Sequence, residues 1–459
     1  MSNSVILKDL FDENELTSRV AASGLSRQES ENKAKLFGNC ARKLNTIGHT
    51  LDAKVIAFYV PGRIEVLGKH TDYAGGRSIL AATEKGFCLV AVPAKSKKVR
   101  IFDLSFNEDV EFIVSDSIEP KVGHWSNYPM TAVRRLAKNF PKLANGADIV
   151  FQSDLPPASG MSSSSAMIVA FFLIMAECND ISGIEEYKLN IKNNEDLAGY
   201  LGTVENGQTF GTLVGDKGVG TFGGSEDHTA VLCCQAGFLS QYSYCPIQFE
   251  QTIEFPAGYT FVVASSGVAA EKTGSAMEKY NRISKLARCA VEVWNNATGS
   301  DEGHLATVLA NSKGAADSIR KILQQAKGVE FTAEQLVQRF EHFLAESEQI
   351  IPAAGDALAA GDISTFSAKV DYSQQLTETL LENQVPETIF LAKSARRLGA
   401  VAASAFGAGF GGSVWAMVKK ENMDKFIANW SAEYKSQFPK AAAKVLFIPT
   451  RPGPAAFHL

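Results

Sequence analysis

Residues 154–167 read Asp-Leu-Pro-Pro-Ala-Ser-Gly-Met-Ser-Ser-Ser-Ser-Ala-Met and lead directly into the apolar stretch Ile168–Ala176. A short apolar run, Ala147–Phe151, precedes them. This order predicts a strand, a turn of small residues and a helix. Ser162, Ser163, Ser164 and Ser165, following Gly160, then lie at a helix N-terminus. Free backbone N–H groups and the helix dipole favour an anion there. In form the segment is a phosphate cradle.

A chain of 459 residues accommodates about two or three domains. Ile168–Ala176 is too short to span a bilayer and is followed by Glu177. The start, Met1 to Leu10, lacks a basic region followed by an apolar core, so no signal peptide is expected. Seven scattered cysteines without a CxxC pair suggest reduced thiols and a cytoplasmic setting. The formal charge of −5 is spread along the chain, which argues against a nucleic-acid or membrane partner. The expected partner is a small molecule, and the expected state a monomer or weak homodimer.

Residues 7–48 carry helix-like spacing and are expected to form a helical extension, 1–50, packed on the body. Short apolar bursts then predict strands at Val55–Val60, Ile64–Leu67, Phe87–Val92, Val99–Leu104 and Val110–Val114. Helices follow at about Trp125–Lys138, from Ser164, and at Leu197–Thr209. In the second half, Thr260–Ser265, Ser413–Val418 and Lys444–Ile448 read as strands. Residues 276–297, 302–326, 333–350, 387–399 and 422–437 read as helices. Strands and helices mixed in both halves, with few regular βαβ steps, indicate an α+β class.

Three further segments carry polar chemistry. Pro61–Gly76 superficially resembles a Walker A loop, but five residues separate Gly62 from Gly68, and His70 stands where Ser or Thr is required. What remains is a strand and turn presenting Arg63, Lys69, His70, Asp72 and Tyr73, suited to a polyhydroxylated ligand or to phosphates. Alone it reads more readily as a polar surface turn. Gly407–Gly412 formally satisfies GxGxxG, yet a predicted helix precedes it and a strand follows, the reverse of a dinucleotide site. A hydride-transfer enzyme is therefore disfavoured, while a close backbone approach to a ligand and a plain tight turn both stay open. Asp227 follows the pair Gly223–Gly224, which thins the wall around its carboxylate, and Glu205 ends a predicted helix. Either acid taken singly reads as a surface charge.

Together these segments, in this order and approximate spacing, resemble the galactokinase branch of the GHMP small-molecule kinases. His124-Trp-Ser-Asn-Tyr128 and Arg397-Leu-Gly-Ala400 add to the likeness, which spans about residues 51–450. The resemblance implies two lobes in an α+β GHMP kinase fold. Residues 51–255 would form an N-terminal lobe like ribosomal protein S5 domain 2, and 256–459 a ferredoxin-like C-terminal lobe, with the site between them. It implies ATP-dependent phosphorylation of a sugar at its anomeric hydroxyl, with Mg²⁺. By the same resemblance Asp227 would be the base and Arg63 its charge-stabilising neighbour. Gly160 and Ser162–Ser165 would wrap the triphosphate, with Ser164 and Glu205 on the metal. Trp125 and Tyr128 would flank adenine. Lys69, His70, Asp72, Gly224 and Tyr280 would meet the sugar.

The chain also departs from that pattern. Lys69 stands where the signature usually has Glu, which suggests an anionic C6 group on the sugar, galacturonate being the simplest case; alternatively Lys69 points elsewhere or meets a phosphate. Glu65 replaces an Asn, and Glu226 and His228 flank Asp227 in place of Met and Gln. Added acids near a base raise its pKa by like-charge repulsion. The loop between Glu205 and Asp227 and the N-terminal extension are longer than usual. A weakly catalytic sugar and ATP sensor acting through a protein partner is the alternative function.

Overall fold

The computed structural model describes residues 5–121, 123–156, 159–270, 274–311 and 314–459, with backbone alone for 274–276. Pro157 and Ala158 of the serine turn, and residues 312–313 within the expected helix 302–326, lie outside them.

The first half runs α1 (Glu13–Ala22), α2 (Arg27–Thr46), β1 (Ile56–Leu67), β2 (Arg77–Ala94), β3 (Lys98–Asp103), β4 (Glu108–Ile113), α3 (Asn127–Asn139) and β5 (Gly146–Ser153). It continues through α4 (Ser163–Cys178), α5 (Glu185–Asn190), α6 (Asn194–Asn206), α7 (Glu226–Cys233), β6 (Phe238–Ser243) and β7 (Gln248–Glu254). The second half runs β8 (Tyr259–Ser265), α8 (Gly274–Thr298), α9 (Leu305–Asn311), α10 (Ala315–Gln324), α11 (Ala333–Ala345), α12 (Ile351–Ala359) and α13 (Ile363–Leu376). It closes with α14 (Pro386–Arg397), β9 (Ala402–Phe406), β10 (Ser413–Lys419), α15 (Met423–Gln437), β11 (Leu446–Thr450) and β12 (Phe457–His458).

Strand β1 is buried from end to end because both faces of its sheet are covered. Ile56, Phe58 and Val60 enter the main core with α4, while Ala57 and Tyr59 meet Leu16, Val20 and Phe37 of the two leading helices. The two short strands expected at 55–67 are thus one strand, with register irregularities between Pro61 and Arg63 and between Glu65 and Leu67. The sheet order is β12-β1-β2-β5-β3-β4, and β6 and β7 branch from the other end of the long β2. Its one parallel pairing joins β3 to β5.

The second sheet, β11-β8-β10-β9, is antiparallel throughout. Val262 and Ala264 face Leu391, Trp430 and Tyr434 of the covering helices, whereas Phe261 and Val263 join the main core. The two lobes therefore share one apolar interior. Between β8 and β9 the chain inserts helices α8 to α11, whose Leu286, Trp294, Phe340 and Phe343 pack around Ala74 of the first lobe. This two-lobed α+β arrangement is the one that the resemblance implies.

Several expectations require correction. The helix expected at 302–326 is two helices, α9 and α10. The one expected at 333–350 continues as π-helical 346–350 into α12. Strands β6, β7 and β9 and helices α5, α7 and α13 were not anticipated. Because β9 precedes Gly407, the glycine loop joins strand to strand rather than helix to strand.

Phe37 is fully buried between the leading helices and the sheet. Phe37→Ala is expected to lower stability by about 3–5 kcal/mol, read as a lower urea midpoint. An unchanged midpoint means that the helices do not pack on the sheet as described.

Candidate active site

A cleft of about 510 Å³ lies where the serine turn, the Pro61–Gly76 segment, α7 and the glycine loop converge. At one end Phe87, Phe106, Trp125, Tyr128 and Phe151 make an aromatic wall. The Trp125 ring meets Phe151 edge-on, with centroids 5.7 Å apart, and its Nε1 donates to Glu108 at 2.6 Å. Such a wall suits a flat heterocycle.

Gly160 and Ser162–Ser165 line the middle of the cleft. Gly160 has φ +76°, and Ser162 takes a left-handed φ of +58° at the start of α4. A non-glycine residue in that region is strained, and such strain concentrates at ligand sites. Ser162 Oγ is buried without a protein hydrogen-bond partner. A helix start lined with serines and holding an orphaned hydroxyl fits a polyphosphate. The serine turn is locked to β1, since Arg63 N donates to Met161 O at 3.2 Å. At Gly62 a Cβ would stand 2.8 Å from that same carbonyl oxygen, so the contact requires glycine.

Arg63 is 4% exposed and reaches three groups at once. Its Nε and Nη2 both lie 2.7 Å from Asp227 Oδ1, and its Nη1 donates to Gly160 O at 2.6 Å. The guanidinium also lies over the Phe406 ring, 5.6 Å from the centroid. Burial works against this charge, but Asp227, Glu65 and Glu226 raise its pKa above the ordinary value. Asp227 sits in the first turn of α7, where the helix dipole favours a carboxylate. Ser165 Oγ donates to Glu205 at 2.7 Å and approaches Asp227 Oδ2 at 3.3 Å. Glu205 lies in the last turn of α6, with His228 Nε2 at 3.4 Å. Ser164 lines the cleft, but Ser165 is the serine that bridges the two acids.

The far end holds the polar turn. His70, with φ +59°, pairs with Tyr73 Oη at 2.9 Å and Ala408 O at 3.1 Å, and its ring lies 5.3 Å from that of Tyr280. Asp72 accepts from Tyr73 N at 2.8 Å and Glu226 N at 3.1 Å. Asp227 is thus not in the open loop that its neighbouring glycines suggested. Instead the glycine pair makes room for other groups, since a Cβ on Gly224 would stand 2.3 Å from Asp72 Oδ2 and one on Gly223 2.6 Å from Tyr280 Oη.

Most of the candidate residues meet at this cleft, and Lys69 is the exception. It is 1% exposed, is not part of the cleft wall, and donates through Nζ to Ser373 Oγ at 3.0 Å. Ser373 in turn donates to the buried Glu346, which also accepts from Gly68 N. The expected contact of Lys69 with the sugar is therefore corrected: the residue ties β1 to α13. Glu65, two residues beyond Arg63, lines the cleft instead and accepts from Gly407 N at 3.2 Å. Burial pushes its carboxyl up to about 7, against the pull of Arg63 and Lys69. Burial, then Glu65 and Asp72, raises Glu226 well above the usual carboxylate range. Sequence reasoning missed Arg339 of α11, which donates to His70 O and Tyr73 Oη and holds the polar turn from behind. A single arginine on an amphipathic helix carries no signal for that task.

The comparisons agree with the geometry. Residues 45–93 match the galactokinase galactose-binding signature, 127–212 the GHMP kinases N-terminal domain and 355–436 the GHMP kinases C-terminal family. A galactokinase of Fusobacterium nucleatum is 26% identical over 390 residues, covering 84% of this chain and 90% of that protein. One from Chloroflexus aggregans is 28% identical over 387 residues, covering 82% and 86%. The crystal structure of Lactococcus lactis galactokinase complexed with galactose superposes with a TM-score of 0.75 at 22% identity, covering 92% of this chain and 99% of that one. The architecture and cleft define a GHMP kinase. The matched signature and the relatives are those of the galactokinase branch, and the chain is a sugar kinase of galactokinase type.

Two outcomes follow from the packing. Gly224→Ala drives a methyl into Asp72 and is expected to cost on the order of 1–3 kcal/mol, seen as a lower thermal midpoint; an unaltered midpoint shows that the turn is not in contact. Glu65, raised from 4.5 to about 7, keeps a proton in the folded chain that the unfolded chain has already lost. Its contribution is full below about pH 4.5 and is lost as pH climbs to about 7. The stability of the native protein relative to Glu65→Gln, followed through the thermal midpoint, should fall across that window by on the order of 1–3 kcal/mol. Parallel profiles for the two proteins rule out the raised carboxyl.

Proposed function

We propose that this kinase transfers the γ-phosphoryl group of ATP to the anomeric hydroxyl of galactose or a closely related sugar. The observation that carries the reading is the Arg63–Asp227 ion pair, 2.7 Å long, between the serine turn and the polar turn. Adenine lies against Trp125 and Tyr128, and the triphosphate runs along Gly160 and Ser162–Ser165. The sugar meets His70, Asp72, Gly224 and Tyr280. Asp227 accepts the C1 hydroxyl proton as the oxygen attacks the γ-phosphorus, and Arg63 stabilises charge on the transferring group. Catalysis of this kind is chiefly positioning and charge neutralisation.

Glu205 and the Ser164 hydroxyl offer hard oxygen ligands beside the phosphate track, and this set fits Mg²⁺. Bound there, Mg²⁺ would supply charge neutralisation to the phosphates. Residues 51–255 supply nucleotide and most sugar contacts, 256–459 close the cleft through Tyr280 and the 407–412 loop, and 1–50 brace the sheet. Galacturonate loses its rationale, because Lys69 is engaged with Ser373.

Purified protein mixed with Mg-ATP and galactose is expected to release ADP in a sugar-dependent manner. Asp227→Asn should reduce kcat by about 10²–10⁴-fold while ATP affinity stays within a few-fold of native. Retained turnover shows that Asp227 is not the base. Sugar-dependent ATP binding without any turnover by the native protein favours the sensor.

A further inference from the structure

Four carboxyl groups line the sugar end of the cleft: Glu65, Asp72, Glu226 and Asp227. Two of them have their acceptor needs met by the protein. Asp227 is paired with Arg63, and Asp72 takes two backbone N–H groups. The other two do not. Glu65 Oε1 and Glu226 Oε1 have no hydrogen-bond partner in the protein, although Glu65 is 3% and Glu226 4% exposed. A buried carboxyl oxygen lacking a donor is unfavourable unless something bound supplies one.

The cations nearby are committed elsewhere. Arg63 serves Asp227 and Gly160 O and comes no nearer to Glu65 than 3.9 Å from its Oε2, Lys69 serves Ser373, and Arg339 lies behind the turn on His70 O. His70 has both ring nitrogens engaged, by Tyr73 and Ala408. A ligand carboxylate entering this end would face four carboxyl groups and no available cation among the described residues. A hydrogen-bond donor, and above all an ammonium, would face two open acceptors.

We propose that Glu65 and Glu226 form an acidic specificity pair that selects a sugar bearing a hydrogen-bond-donating substituent, an amino sugar most strongly, and rejects uronic acids. The pair lines the cleft together with Arg63 and Asp227, Glu65 two residues from Arg63 and Glu226 adjacent to Asp227. It therefore acts on the sugar ring and not on the nucleotide.

The inference rests on the sugar-kinase reading of the same cleft, and the two fail differently. The experiment measures kcat/KM for galactose, galactosamine and galacturonate on native protein, Glu226→Gln and Glu65→Gln. Calorimetric affinities for the three sugars are measured in parallel. Native protein is expected to use or bind galacturonate at least about 100-fold more weakly than galactose. Its galactosamine-to-galactose ratio is expected to fall at least about 10-fold in Glu226→Gln, and in the same direction in Glu65→Gln. Because each ratio compares two sugars on one preparation, loss of folded protein cancels. Galacturonate matching galactose, or a ratio unmoved in both variants, overturns the proposal. If no sugar is phosphorylated the kinase reading fails, while the affinity ratios still decide whether the acidic pair selects the ligand.

Discussion

A guanidinium removed from water is the constraint around which both lobes are arranged. Arg63 loses its hydration on a strand buried on both faces, and its charge survives because Asp227 and the Gly160 carbonyl replace that water. Breaking a buried pair by removing one partner costs about 3–5 kcal/mol. The replacement groups come from distant parts of the chain: a helix start for Asp227, the serine turn for Gly160 and a strand of the second lobe for the Phe406 ring. Satisfying one side chain thus requires the two lobes to be assembled. The assembled geometry sets the Asp227 carboxylate beside the serine turn.

Close approach explains the glycines around this pair. Gly62 admits the Met161 carbonyl, Gly224 admits Asp72, and a Cβ on Gly407 would stand 3.1 Å from Gly160 O. Ser162, His70 and Phe410 hold left-handed backbone without being glycine. All three lie on segments bordering the cleft, whereas Asp180 and Glu382, also left-handed, do not line it.

The local signals of the site were legible in the sequence, while its long-range partners were not. A strand, four serines and an apolar helix can be read from neighbours alone, as can the Pro61–Gly76 turn. Which serine would bridge Glu205 and Asp227 could not, since Ser164 and Ser165 differ only by a rotation of about 100° around a helix. Lys69 was misplaced because its partner Ser373 lies 304 residues away and no local pattern links the two. Strand β9 was missed because Ala-Ala-Ser-Ala-Phe is short and low in β-branched residues. Tertiary packing against β10 makes it a strand, and so reverses the local setting of the glycine loop.

The parts outside the two sheets hold the cleft from its two ends by the same device, a cation buried against backbone or acid. From α2, Lys33 reaches Asp154 at the entrance to the serine turn, and Asp154 also accepts from Gly86 N at 2.9 Å. Burial opposes the Lys33 charge, but Asp154 and Glu29 keep its pKa above the ordinary value. From α11, Arg339 holds the carbonyl of His70, the residue whose backbone is left-handed. Apolar side chains at these positions would satisfy neither the acid nor the carbonyl. Buried ions are costly, so their presence is best explained by what each fixes: the chain entering the serine turn in one case and the polar turn in the other. The leading helices and the helical insert therefore act on the cleft through the position of its backbone.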